Sequence, residues 1–189
     1  GGGSAGGDEK LDRVGRTRFG AYNQANIWME WEKQVTPTLR QSLNIMHDFD
    51  HLEVEVKAVD TQAQAEKLIA ELQQQLKGFE HTAVITSFDL KIHHALILQN
   101  THFKHGLLIE NDIGEKAIEQ AIELQCCQIG WMNQLATDEI IKTTQKAGLA
   151  VSVWTVNDIE RAKHLRNLKI DGLITDFPKM MQIALEQIK

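Results

Sequence analysis

Short runs of apolar and β-branched residues alternate along this chain with longer segments whose apolar residues recur every three or four positions. The short runs, which predict strands, are residues 51–57, 81–88, 105–111, 126–132, 149–157 and 171–176. The longer segments, which predict amphipathic helices, are residues 61–77, 89–99, 114–125, 137–148, 158–169 and 178–189. Strands and helices that alternate in this way are typical of parallel strands joined by crossover helices. The pattern therefore predicts six successive βα units.

Several helix ends carry residues with known terminal preferences. Thr137 and Asp158 stand where N-caps are expected, Gly148 stands where a helix should end, and Pro178 takes a first helical position. Asp176 precedes the helix that Pro178 begins, and we interpret it as the N-cap of that helix. These signals support the helix boundaries that the periodicity predicts.

The first fifty residues are less regular. The segment 38–48 carries leucine and methionine at helical spacing, which predicts another helical stretch. Trp28 and Trp31 are three residues apart, so we expect them on one side of a helical turn or bent loop, closing one end of a core. Residues 1–7, GGGSAGG, read as a flexible linker or a vector-derived remnant. We therefore expect one domain, a partial barrel, over residues 8–189.

Composition limits the choice of partners. The 189 residues are 42% hydrophobic and 24% charged, which is enough for one sizeable core. The net charge of −6 and the absence of a long basic run argue against nucleic acid or an anionic membrane as the main partner. No apolar stretch reaches ~18 residues, so no membrane span is predicted.

Cys126 and Cys127 are adjacent, and they are the only cysteines. Adjacent cysteines rarely bond to each other, so no disulfide framework is expected. A metal site made by this pair alone is also not expected, because thiolate sites usually have wider spacing and further ligands. We interpret both as small buried residues on a strand. Free thiols fit a reducing compartment, and we expect a cytoplasmic protein.

Two architectures fit six βα units: an open doubly wound sheet and a closed barrel. No G-x-G-x-x-G follows a predicted strand, so the dinucleotide-binding form of the open sheet has no support. Glu53, Glu55 and Lys57 alternate with apolar residues and therefore share one face of a strand. A barrel can hold charged groups on its inner face near the catalytic end, which favours the barrel. A barrel of this type has eight strands, whereas six are predicted here.

The charged strand is also the first candidate for chemistry. Glu55 and Lys57, near the end of the strand, could hold a divalent ion and an anion, since buried carboxylates need a partner. The alternative is a polar strand face that meets solvent. Trp154 ends another strand and offers two interpretations as well, core packing or one wall of a ligand pocket.

The eight histidines show no dense metal-ligand spacing, and no nucleophile elbow or Walker loop is present. His93 and His94 lie on a predicted helix, where neighbouring side chains point ~100° apart, so they cannot readily share one metal. We interpret most of the histidines as surface or helix-end residues.

Six short segments carry a family resemblance. In chain order they are PTL (37–39), LEVEVK (52–57), ITSF (85–88), GLLIE (106–110), VSVWTVND (151–158) and DGLITDFP (171–178). Together they resemble the later part of a glycerophosphodiester phosphodiesterase, a TIM-barrel family. The resemblance covers residues 8–189, and no segment matches the family's earlier His-Arg-Gly, Glu-x-Asp and His-Asp motifs. It implies an α/β fold of the TIM-barrel type, incomplete, with six βα units of the usual eight.

The resemblance implies metal-dependent hydrolysis of small-molecule glycerophosphodiesters to glycerol 3-phosphate and an alcohol. Carried over, Glu55 is a ligand of the divalent cation, Mg²⁺ or Ca²⁺. Lys57 lies by the phosphate as a catalytic and substrate-binding residue, and Trp154 lines the substrate pocket. The unmatched motifs hold the acid/base histidines and two of the three metal carboxylates, so we expect a weakly held cation and little turnover.

Two other interpretations remain open. A barrel short of two strands would have two unpaired strand edges, and such a chain would self-associate or assemble with a partner chain without being a catalyst. A different phosphate-handling barrel, such as a phosphoinositide-cleaving lipase, is the third interpretation. The lack of a basic run argues against that third interpretation.

Overall fold

The computed structural model describes residues 16–19, 27–30, 38–43 and 52–186, with side chains from Glu53 onward. The strands are β1 (Arg16–Phe19), β2 (Ile27–Glu30), β3 (Thr38–Leu43), β4 (Leu52–Glu55), β5 (Ala83–Ser87), β6 (Lys104–Ile109), β7 (Gln128–Met132), β8 (Ala150–Trp154) and β9 (Gly172–Ile174). The helices are α1 (Gln62–Gln75), α2 (Leu90–Leu98), α3 (Lys116–Glu123), α4 (Asp138–Lys146), α5 (Ile159–Asn167) and α6 (Pro178–Glu186).

The six strands from β4 to β9 are parallel neighbours in chain order, and each is followed by a helix. Register pairs such as Val54 with Ile85 and Trp131 with Val153 join successive strands. The predicted six βα units are therefore confirmed. The fold is a barrel of the TIM type that is incomplete in the sense predicted, with six βα units instead of the usual eight. Among the described residues, no helix has the length and apolar character needed to cross a membrane.

Strand β3 closes the barrel. It pairs antiparallel with β4, where Thr38 faces Glu55, and antiparallel with β9, where Leu43 faces Leu173. Two expectations are therefore wrong. Residues 38–43 form a strand rather than a helical stretch, because partners on both sides satisfy the extended backbone. The outer edges of β4 and β9 are also not left unpaired, since β3 covers both.

Before β3 the structure describes two short strands. Strands β1 and β2 form a two-stranded antiparallel sheet, in which Trp28 pairs with Arg18. Trp28 therefore lies on extended backbone and not in the helical turn that was one of its expected settings. Trp31 and the proposed linker at residues 1–7 lie outside the described residues.

The apolar core lies between the strands and the helices. Val54 and Val56 are fully buried and pack with apolar residues of β5, α1 and α2. A second apolar cluster joins the outer faces of β6 to β9 to α3, α4, α5 and α6. Since neighbouring residues of a strand point to opposite faces, Glu53 and Glu55 are on the inner side of the barrel.

Most of the predicted helix ends are confirmed. Thr137 accepts a hydrogen bond from the Ile140 amide, and Asp158 accepts one from the Arg161 amide. Gly148 has a φ of +85°, the left-handed conformation that glycine adopts after a helix. Asp176 differs, because Phe177 rather than Asp176 directly precedes α6.

Candidate functional site

The candidate cation and phosphate residues lie where β4 ends. Glu55 is the last residue of β4, is half-buried and pairs with Thr86 of β5. The extended pairing continues one residue further, where the Val56 amide donates to the Thr86 carbonyl (2.8 Å). Lys57 follows and is exposed. The structure therefore places a carboxylate and an ammonium group close together in the chain at the mouth, the end of the barrel where the parallel strands finish.

Trp154 lies at the same end of the barrel, on the last residue of β8. Its indole Nε1 donates to the Gly130 carbonyl on β7 (2.9 Å). Its ring meets Phe88 edge to face, with 5.5 Å between centroids and 88° between planes. Phe88 directly follows β5, three strands away in the sheet, so the aromatic pair reaches across the mouth. Trp154 is half-buried and belongs to neither apolar core cluster.

A polar contact crosses the barrel interior below the mouth. Glu53, 1% exposed, accepts a hydrogen bond at Oε2 from Gln128 Nε2 of β7 (3.1 Å). Gly106 of β6 makes room for this contact, because a Cβ at that position would lie 2.5 Å from Gln128 Cγ. Glu53 belongs to the predicted polar face of β4, whereas its partner Gln128 was not predicted. The polar residue within an otherwise apolar strand was the available signal.

Asp89 connects two backbone segments near the mouth. Its carboxylate accepts hydrogen bonds from the Val59 amide (3.0 Å) and the Lys91 amide (2.9 Å), and Lys91 Nζ lies 3.1 Å away. Burial raises the pKa of Asp89, but the hydrogen bonds from the two backbone amides and the Lys91 ammonium group together lower it more, so the net shift is downward. Asp89 therefore ties the loop that follows Lys57 to the start of α2, next to Phe88.

The two segments that carried most of the resemblance are joined by a side-chain network. Asn157 Oδ1 accepts hydrogen bonds from Thr175 Oγ1 (3.1 Å) and the Asp176 amide (3.0 Å). Asn157 Nδ2 donates to the Asp176 carboxylate (2.9 Å). The Asp176 side chain thus links the β8 and β9 loops at the barrel mouth. This corrects its assignment as the N-cap of α6.

Potential metal ligands converge at a different place. Within the described residues, only His93, His105 and Cys126 bring three ligand atoms of histidine, cysteine or acidic residues within 4.8 Å of one another. Glu55 has no such group around it in that part of the chain, so the described residues alone do not fit a tight Mg²⁺ or Ca²⁺ site. Four of the six described histidines are exposed, as predicted for most of them, and His93 and His105 are the two buried exceptions.

Comparison with known proteins points to a family with this fold. The sequence matches the model of the glycerophosphoryl diester phosphodiesterase family over residues 9–180. No curated protein matches the chain.

Solved structures of similar fold include a glycerophosphodiester phosphodiesterase from Parabacteroides distasonis ATCC 8503. It is 20% identical, with a TM-score of 0.61, over 70% of this chain and 56% of that one. Another is an Oleispira antarctica phosphodiesterase solved with the product sn-glycerol-3-phosphate. It is 20% identical, with a TM-score of 0.60, over 70% of this chain and 54% of that one. The chain thus spans about half the length of these structures, and at 20% identity the likeness establishes the fold.

Proposed function

Because the chain belongs to the glycerophosphoryl diester phosphodiesterase family, we propose that it acts on glycerophosphodiesters, hydrolysing them to glycerol 3-phosphate and an alcohol. The observation that carries this proposal is the arrangement of the barrel mouth. Glu55 ends β4 on the inner side of the barrel, exposed Lys57 follows two residues later, and Trp154 lies at the same end on β8. A carboxylate, a cation and an apolar wall are the groups that a phosphodiester of glycerol requires.

Each of the three residues has a separate role in this proposal. The Lys57 ammonium group offsets the negative charge of the phosphoryl oxygens, which grows in the transition state. Trp154, held by its hydrogen bond to Gly130 and by Phe88, presents a flat apolar surface to the glycerol carbons. Glu55 contributes one oxygen ligand to a weakly held Mg²⁺ or Ca²⁺. Such a cation, when bound, would polarise the phosphoryl group.

We expect turnover to be low. Mg²⁺ and Ca²⁺ take six or more oxygen ligands, and Glu55 supplies one or two. The remaining ligands would have to be water or residues outside the described ranges. A loosely held cation is present in only part of the molecules, and the rate falls in proportion.

The experiment incubates the chain with glycerophosphocholine and Mg²⁺ or Ca²⁺ and measures the glycerol 3-phosphate that is released. Lys57→Met should abolish the activity. Lys142→Met, which removes an exposed lysine of α4, is the matched control and should leave it unchanged. Activity that survives Lys57→Met would contradict the proposed role of Lys57. Turnover as fast as that of full-length family members would contradict the weakly held cation.

The non-catalytic alternative is tested in the same preparations. Self-association through the edges of β4 and β9 has lost its structural basis, because β3 pairs with both strands. Assembly with a partner chain remains a prediction, which light scattering and co-purification address. The cytoplasmic location and the absence of a nucleic-acid partner also remain predictions from composition.

A further inference from the structure

Three side chains from separate elements meet on the outer side of the sheet, between the strands and α2. His93 lies on α2, His105 on β6, and Cys126 two residues before β7. Their exposures are 0%, 7% and 6%. The two Nδ1 atoms are 2.9 Å apart, and Cys126 Sγ lies 3.6 Å from that of His93 and 3.5 Å from that of His105. Two imidazoles and a thiol therefore present one ligand atom each to a common point.

The surroundings of this group are apolar. The apolar cluster under α1 and α2 includes Phe103, and the cluster on β6 to β9 includes Leu107 and Cys126 itself. The two histidines lie between these clusters, where a polar group without a partner costs free energy. Stacking of the two rings, with centroids 5.1 Å apart and 29° between planes, holds both in place. Without a metal, the two Nδ1 atoms satisfy each other by a 2.9 Å hydrogen bond, which a bound metal would replace.

A backbone carbonyl fixes the orientation of the His93 ring. Its Nε2 lies 3.0 Å from the Ser87 carbonyl oxygen, which can only accept, so Nε2 carries the proton. In a neutral imidazole this leaves a lone pair on Nδ1, directed at the cluster. A backbone carbonyl that orients the far nitrogen of a histidine is a common feature of metal sites.

We propose that His93, His105 and Cys126 bind a Zn²⁺ ion in a structural site that is separate from the barrel mouth. With Zn–N of ~2.0–2.1 Å and Zn–S of ~2.3 Å, tetrahedral ligands lie ~3.6 Å apart for S and N, and ~3.3 Å apart for two N atoms. The two S–N distances of 3.5 and 3.6 Å match this geometry. The N–N distance of 2.9 Å needs a separation of a few tenths of an ångström more.

The donor set selects the class of metal. Imidazole nitrogen and thiolate sulfur suit Zn²⁺, whereas Mg²⁺ and Ca²⁺ take oxygen ligands. Three protein ligands would leave the fourth tetrahedral position of the ion to a water molecule. The zinc ion and any cation at Glu55 are therefore distinguishable by their ligands as well as by their place in the fold.

The protonation of the three groups without metal is consistent with such a site. Burial lowers the pKa of His93, and burial with the nearby His93 lowers that of His105 to about 4, so both rings are neutral ligands at neutral pH. Burial, with the neighbouring Cys127, raises the pKa of Cys126 to about 12. Zinc must therefore displace the thiol proton, which a divalent cation in contact with sulfur does readily.

The ion would stabilise the fold rather than take part in phosphodiester chemistry. It would link α2 to β6 and to the chain entering β7, and so join the two apolar clusters. Metal that binds only the folded chain raises its stability in proportion to the logarithm of the metal concentration. Removal of the metal should therefore lower the melting temperature.

The test uses the metal alone. Co²⁺, a spectroscopic substitute for Zn²⁺, should bind the intact chain in one equivalent, with a thiolate-to-cobalt charge-transfer band that only a cysteine ligand gives. Cys126→Ala should lose this band and bind Zn²⁺ ~100-fold or more weakly, since even residues that only orient a ligand contribute 10–100-fold. Cys127→Ala is the matched control, because Cys127 is half-buried and lies outside the triad. This variant should keep the charge-transfer band and the Zn²⁺ affinity of the intact chain.

Melting curves complete the experiment. A chelator should lower the melting temperature of the intact chain and of Cys127→Ala but not that of Cys126→Ala. Equal zinc affinity in Cys126→Ala and the intact chain would overturn the proposal, as would binding of Cu⁺ without binding of Zn²⁺ or Co²⁺. If Cys126→Ala does not fold, the intact chain decides alone, since a cobalt spectrum without the thiolate band overturns the site. None of these readouts depends on phosphodiesterase activity.

Discussion

Replacing Gly106 with alanine tests the packing of the barrel interior that supports β4. An added Cβ would lie 2.5 Å from Gln128 Cγ and 3.2 Å from Gln128 Nε2. Contacts this short are not tolerated, so the Gln128 side chain must move. The same side chain donates the 3.1 Å hydrogen bond to buried Glu53. The substitution therefore acts on Glu53 through Gln128.

The size of the effect follows from these two contacts. Inserting a methyl group into a filled interior costs about 1–3 kcal/mol. Loss of a hydrogen bond that leaves a buried polar group unsatisfied costs about 1–3 kcal/mol. The reduced freedom of alanine in the unfolded chain returns roughly 0.4–1 kcal/mol. Gly106→Ala should therefore lower the free energy of unfolding by about 2–5 kcal/mol.

A double-mutant cycle separates this mechanism from a general intolerance of alanine. In a Gln128→Ala background the short contact and the hydrogen bond are already gone, and the new methyl group enters vacated space. Gly106→Ala should then cost less than about 1 kcal/mol, so the coupling free energy should be roughly 1–5 kcal/mol. Urea unfolding of the four proteins, followed by far-ultraviolet circular dichroism, measures these free energies.

The control is Gly148→Ala, where φ is +85° and, apart from its chain neighbours, no atom of the described residues lies within 4 Å of an added Cβ. Its cost comes from the backbone, so it should be additive with Gln128→Ala. If the free energies for Gly106→Ala and Gln128→Ala are additive within about 0.5 kcal/mol, the described packing of the interior is wrong.

Three further substitutions test the loop and the strand at the mouth. Asp89→Ala should lower the free energy of unfolding by about 2–3 kcal/mol at neutral pH, because the Val59 and Lys91 amides lose their acceptor. Since the folded-state pKa of Asp89 is depressed, its contribution is full above about pH 4 and is lost as the pH falls through that pKa. As the pH falls from neutral to acidic, the urea midpoint of Asp89→Ala should therefore fall less than that of the intact chain. An equal fall in both proteins would contradict this. Val54→Asp, which buries a carboxylate under α1 and α2, should prevent folding, whereas Glu55→Gln should shift the circular dichroism melt little. The opposite order of effects would mean that β4 faces the other way.

The alternation of strands and helices was predictable because its causes are local. Apolar periodicity and caps such as Thr137 and Asp158 act within a few residues, and all six βα units followed from them. The polar face of β4 was predictable for the same reason. Its direction, inward rather than outward, follows only once Val54 and Val56 are seen beneath α1 and α2.

Strand β3 could not be predicted from its own residues. Its leucines are spaced for a helix, but β4 and β9 lie on either side and offer hydrogen bonds that only an extended chain can make. β9 lies more than a hundred residues away along the chain. Tertiary pairing of this kind overrides a local preference.

The His93, His105 and Cys126 group was missed because spacing arguments compare sequence neighbours, such as His93 with His94. A weaker signal was present. His105 alternates with Leu107 and Ile109, so it shares the strand face that packs against helices. His93 follows Ile92 on the buried side of α2. A histidine on a buried face needs a partner, but the sequence does not say which other element supplies it.

The central claim is that the barrel mouth, with Glu55, Lys57 and Trp154, is built for the phosphate of a glycerophosphodiester. Calorimetric titration of sn-glycerol 3-phosphate into the intact chain and Lys57→Met, with Mg²⁺ present, tests it most directly. We predict measurable binding to the intact chain and to the Lys142→Met control. Lys57→Met should bind at least about tenfold more weakly, since a charge-assisted hydrogen bond contributes roughly 1.5–3 kcal/mol. No binding to the intact chain, or equal affinity in Lys57→Met, would contradict the account.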